Sequence, residues 1–153
     1  MIKKIFFIAS IVILLIITGC QSQNPNLVMA LAIFEGGGCG NNNRAYYFVL
    51  NNDGTLISYY GISRNHCDIS RRDFMRTVRA REEIVLSEQD FQSVTELVRA
   101  VSEKYHSQES AFLTMRRVTL FYDGNVYDDL TNPIIEFQDL ANKLMQLTPL
   151  RTR

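Results

Sequence analysis

Three cysteines, two histidines, a run of arginines and a knot of aspartates carry the reactive chemistry of this 153-residue chain. Cys67 follows His66 directly, but neighbouring residues of an extended chain point to opposite sides, so the pair is poorly placed for a thiol activated by imidazole. His106 stands in the polar stretch "HSQES" and reads as solvated. No C-x-x-C spacing marks a zinc site, and Cys39, Cys67 and a histidine form only a loose candidate set. Asp123, Asp128 and Asp129 offer carboxylates for calcium, yet they do not fit a twelve-residue calcium loop, and Asp123-Gly124 is what a tight turn requires. "GGGCGNNNR" has the glycines of a phosphate-binding loop without the lysine and hydroxyl residue that would follow them. The residues form no catalytic constellation. The expectation is a chain that is not an enzyme and holds no cofactor and no metal.

Cys20 has a different context. Lys3 and Lys4 precede an apolar run, Ile5 to Thr18, of 14 residues. A helix crossing a hydrocarbon core needs about 20. A basic start, a short apolar middle and small residues at the end are the parts of a secretory leader. The leader closes on Ile17-Thr18-Gly19-Cys20, which resembles the lipobox of bacterial lipoproteins. That resemblance implies cleavage before Cys20, acylation of its thiol and more than one fatty chain. One chain would hold only marginally, at about 0.8 kcal/mol per buried methylene. Residues 1–19 are then a signal peptide and residues 20–27 a lipidated cysteine with a polar tether. Gln21, rather than Asp, at the next position leans toward the outer membrane if the organism has one. The six residues "QSQNPN" reach at most about 20 Å, so the domain works near the membrane, on its extracytoplasmic side.

Residues 28–153 suffice for one domain with a real core. Without Lys3 and Lys4 the 16 basic residues fall to 14 against 16 acidic ones, so no global charge draws the chain to nucleic acid.

"VMALAIFE" (28–35) reads as a strand. "RAYYFVL", the turn "NNDG" and "TLISYYGI" form a hairpin, with Gly54 at positive φ. The register this turn sets pairs Tyr46 with Tyr60 and Leu50 with Leu56 on one face, and Tyr47 with Tyr59 and Val49 with Ile57 on the other. Extended outward, it sets Cys39 opposite Cys67. Export to an oxidising compartment favours a bridge between them, worth roughly 3 to 4 kcal/mol in the chain-entropy model; free thiols and a metal site are the competing readings. From Ser63 to Arg81 the chain is polar, and "EEIVL" returns to a strand pattern. Ser87 caps a helix with Asp90 three residues on, and Phe91, Val94, Val98, Val101 and Tyr105 line its apolar face. "RRVTLFY", "DG" and "NVYDDL" make a second hairpin. Asn132 and Pro133 open a last helix, whose buried side is Ile134, Phe137, Ala141, Leu144 and Leu147 or Thr148. This order argues for an α+β fold: an antiparallel β-sheet of about five strands with two helices packed on one face.

Two surface features remain. Arg71, Arg72, Arg76, Arg79 and Arg81 fall within eleven residues, balanced by Asp73, Glu82 and Glu83. They read as a solvated, mobile arm, or as a contact for an acidic partner or lipid head groups. Helices on one side of the sheet would leave Tyr47 and Tyr59 exposed on the other, unless the first strand or the arginine segment folds over them. The functional expectation is a lipid-anchored, non-enzymatic binding or accessory module of the cell envelope, meeting a protein or envelope polymer through these residues.

A second class competes. A strand ending in "IFEGGGCG", a hairpin and "LSEQDFQSVTELV" resemble the emfourin type of metalloprotease inhibitor over Ile33 to Val98, apart from the arginine segment and the cysteines. The resemblance implies an inhibitory contact loop at Gly36, Gly37 and Gly38.

Overall fold

A computed structural model describes residues 26–35, 43–63, 75–105, 116–129, 134–148 and 150. Cys20, Cys39, Cys67, His66, His106, Gly36 to Gly38, Arg71, Arg72, Asn132 and Pro133 lie outside them. The fold is α+β. Strands β1 (Leu27–Glu35), β2 (Arg44–Asn51), β3 (Thr55–Ser63) and β4 (Met75–Val85) precede helix α1 (Glu88–Lys104); β5 (Arg116–Tyr122), β6 (Asn125–Asp128) and helix α2 (Ile135–Leu147) follow. The six strands form one antiparallel sheet in the order β4-β3-β2-β1-β5-β6, one more strand than the sequence led us to expect. The second hairpin, expected from the sequence, pairs in full from Tyr122 with Asn125 to Thr119 with Asp128.

The unbroken apolar run of β1 is explained by its place at the centre of the sheet, between β2 and β5. Both of its faces are buried, so alternation is lost. Met29, Leu31 and Ile33 point one way, with Tyr46, Phe48, Leu50, Leu56, Val118 and Leu120 from neighbouring strands. Val94, Val98 and Val101 of α1, and Phe137, Leu140, Ala141 and Leu144 of α2, pack on that face and are all fully buried. Ala32, Phe34 and Ala45 form a smaller cluster on the opposite face, where Tyr47, Met75 and Phe121 pack against them. β1 therefore does not fold over the tyrosines.

The first hairpin keeps the expected register, Tyr46 to Tyr60 and Tyr47 to Tyr59, down to Arg44 with Ile62. Gly54 has φ +81°, and the Asp53 carboxylate accepts the Thr55 N–H at 2.9 Å, which closes the turn. Ser87 caps α1: its Oγ accepts the Asp90 N–H at 3.1 Å and donates to the Asp90 carboxylate at 2.7 Å. Lys143 bridges Asp90 at 2.8 Å and Lys104 pairs with Glu136, so the two antiparallel helices are joined at both ends. α2 begins at Ile135, after an extended Ile134 that supplies no side-chain cap, rather than at Pro133. Glu136 in its first turn supplies the negative charge that a helix start favours. Among the described residues no helix is long and apolar enough to cross a membrane.

The largest difference from the sequence expectation is β4. The strand starts at Met75, not at Glu82, so Arg76, Arg79 and Arg81 belong to a strand rather than a mobile arm. An edge strand leaves much of its surface to water and needs no apolar alternation, which is why its first half reads as loop.

Candidate functional site

β4 is an edge of the sheet, and most of its side chains are exposed. A ladder in register sets Arg81 opposite Tyr59 and Tyr59 opposite Tyr47, all on the face away from the helices. The two tyrosine rings lie 6.1 Å apart, tilted by 33°. The Arg81 guanidinium sits 5.9 Å from the centre of the Tyr59 ring and bridges the Glu83 carboxylate at 2.5 Å. Tyr59 first, and Glu83 second, hold Arg81 still more firmly in its charged form. Both partners of the ion pair are half exposed, so solvent screening leaves the ring contact and the bridge little to contribute to stability. The value of the arrangement lies in aiming a forked cation and two phenols at one place.

The same row continues through Ala32 and Thr119 to Asp128. Asp128 is gripped by Arg117 through a bidentate contact, Nε lying 3.1 Å from Oδ1 and 3.2 Å from Oδ2, with both side chains nearly buried. The three aspartates considered for calcium thus part company: Asp123 takes φ +49° in the turn, Asp128 meets Arg117, and Asp129 is buried. Among the described residues no group of three or more His, Cys, Asp or Glu is placed to hold a metal.

Gly61 sets the position of the arginines. The β3–β4 register shifts between Tyr60 and Gly61 and again between Ile62 and Ser63, placing Arg79 and Arg76 at the two irregularities. A Cβ on Gly61 would lie 2.0 Å from the Thr77 carbonyl oxygen, so only glycine permits this approach. Arg76, Val78 and Arg79 all face solvent, Val78 at 52% exposure. The sequence carried a signal for this: a glycine inside a strand pattern marks a bulge or a close backbone approach.

The face under the helices holds two polar side chains, Asp129 and Tyr46, whose burial the sequence did not indicate. Asp129 donates its N–H to the Val118 carbonyl at 3.0 Å, which prolongs the β5–β6 ladder. Its carboxylate is 1% exposed and makes no hydrogen bond of good geometry. Burial pushes its pKa to about 7, against partial relief from the Val118 amide, Arg117 and Arg116. Tyr46 Oη is also buried without a hydrogen-bond partner, and burial raises its pKa, with Glu35 adding to the rise. Elsewhere, a groove of about 290 Å³ runs between α1 and Tyr122. Its Gln92 and Thr95 already bond within the helix, to Glu88 and Phe91.

Three of the candidate contact residues, Tyr47, Tyr59 and Arg81, are therefore brought together, with Arg79 and Arg76 further along the same strand. Compared against protein-family models, curated proteins and solved structures, the chain matches none.

Proposed function

We propose that this chain is an envelope lipoprotein, anchored through acylated Cys20, whose domain is a non-enzymatic binding module. It meets an acidic protein or envelope polymer through β4 and the Tyr47–Tyr59–Arg81 row, outside the cytoplasm and at the outer membrane where the organism has one. The observation that carries the reading is the row itself: Arg81 stacks on Tyr59 at the edge of the sheet, next to exposed Arg76 and Arg79. Arginine and tyrosine are enriched where proteins bind, because each presents a flat apolar surface with a polar end. The leader supports the address, through Lys3 and Lys4, the short apolar run and Gly19-Cys20.

Charged edge strands with bulges also keep sheets from pairing with one another. The two roles separate on charge reversal. Glutamate at positions 76, 79 and 81 would protect an edge as well as arginine does, but would repel an acidic partner. The anchor is tested by feeding cells labelled palmitate. Label in the wild-type protein and none in Cys20→Ser supports lipidation; an unlabelled wild type contradicts it.

A further inference from the structure

The strand directions sort the domain into two ends. The tight turns at Asp53-Gly54 and Asp123-Gly124 and the start of α1 lie at one end, where Leu86 N–H donates to the Gly54 carbonyl. Leu27 belongs to that end too: it pairs with Asn51, and Asn52 N–H donates to the Asn26 carbonyl at 2.7 Å. The ends of β1 and β3, and the starts of β2, β4 and β5, lie at the other end, where Glu35 pairs with both Arg44 and Arg116. From Leu27 to Glu35 is about 27 Å at the rise of an extended strand.

The charges are sorted as well. Asp53, Glu83, Glu88 and Asp123 are exposed at the turn end, where Lys143 is committed to Asp90. At the far end stand Arg44, Arg76, Lys104, Arg116 and Arg117, with Glu35, Glu103, Asp128 and Glu136 as counter-charges.

Resting on the anchor reading above, we infer that the lipidated domain stands with its turn end toward the bilayer and its arginine-bearing end outward. The chain enters the domain at Leu27, so a tether of at most about 20 Å holds the turn end to the membrane. Anionic head groups repel the carboxylates of that end and attract the arginines of the far end within about a Debye length, so the short tether at Leu27, and not charge, is what sets the orientation. Arg76, at the far end of β4, then points away from the lipid that anchors the protein. The partner it fits is an acidic macromolecule approaching from the side opposite the bilayer, and not the bilayer's own head groups.

Energy transfer tests this in the lipidated full-length protein, because the chain has no tryptophan. Gln89 and Glu103 are both exposed and sit near opposite ends of α1, about 21 Å apart along its axis. Gln89→Trp and Glu103→Trp proteins would be reconstituted separately into phosphatidylglycerol vesicles carrying dansyl-labelled head groups, with intact mass read on each preparation. Acylated protein in which Gln89→Trp transfers several-fold more strongly than Glu103→Trp supports the orientation. Acylated protein with equal transfer, or stronger transfer from Glu103→Trp, overturns the orientation alone. A preparation with no acyl mass on Cys20 removes the anchor reading, and the orientation with it.

Discussion

Arg81 lies directly across the sheet from Tyr59, its guanidinium 5.9 Å from the centre of the ring. The pair joins the edge of the sheet to the tyrosines behind it. A double-mutant cycle with Tyr59→Leu and Arg81→Met, followed by urea denaturation, should give a small favourable coupling, the double variant losing less stability than the two single variants together. Additive effects would show that the two side chains are merely adjacent.

Gly61 is the position at which β4 is most easily displaced. Gly61→Ala puts a methyl group against the Thr77 carbonyl, so β4 must move or the clash must be absorbed. We expect a loss of about 1 to 3 kcal/mol in stability. Hydrogen exchange should quicken in the Met75–Ala80 half of β4 before it quickens in β1. Unchanged exchange along β4 would contradict the close approach.

Asp129 gives a pH dependence with a definite sign. Its carboxyl stays protonated in the folded state up to about pH 7, whereas in the unfolded chain it ionises near its ordinary value of 3.8. Between those values the folded state holds the extra proton, so this group's contribution is greatest below about pH 4 and is lost as pH rises through about 7. Asp129→Asn removes the charge and should stabilise the protein at pH 8 by about 1 to 3 kcal/mol, with little effect at pH 4. Thermal melts of both proteins across that range check it. A variant destabilised equally at both values would contradict the assignment.

The cap of α1 makes a smaller, separate prediction. Ser87→Ala removes the acceptor for the Asp90 N–H and one of the two groups that depress the Asp90 pKa, the other and larger being Lys143. The expected loss is about 1 kcal/mol. Ser87→Asp should restore most of it, since aspartate also caps.

Where structure is local, the sequence states it well. Gly54 sets the turn and hence the whole Tyr46–Tyr60 and Tyr47–Tyr59 register, and Ser87 with the Phe91-to-Tyr105 stripe sets α1 and the side it buries. β4 is different, because its partner is on one side only and its side chains are mostly in water, so Met75 to Arg81 carries no periodic pattern. The burial of Asp129 is not legible either. It depends on where β6 ends beneath the helices, and an aspartate beside another in "YDDL" reads as surface. Of the site, Tyr47 and Tyr59 follow from the turn and Arg81 from its composition. Their meeting needed the fourth strand.

The proposed acidic partner of the β4 arginines can be captured directly. Tagged, membrane-anchored protein would be crosslinked in its native cells and the captured species identified by mass spectrometry, beside a variant carrying Arg76→Glu, Arg79→Glu and Arg81→Glu. One dominant acidic species, captured by the wild type and lost in a variant that still melts at the wild-type temperature, is the predicted result. The same species captured equally by both proteins, or none captured by either, would contradict it.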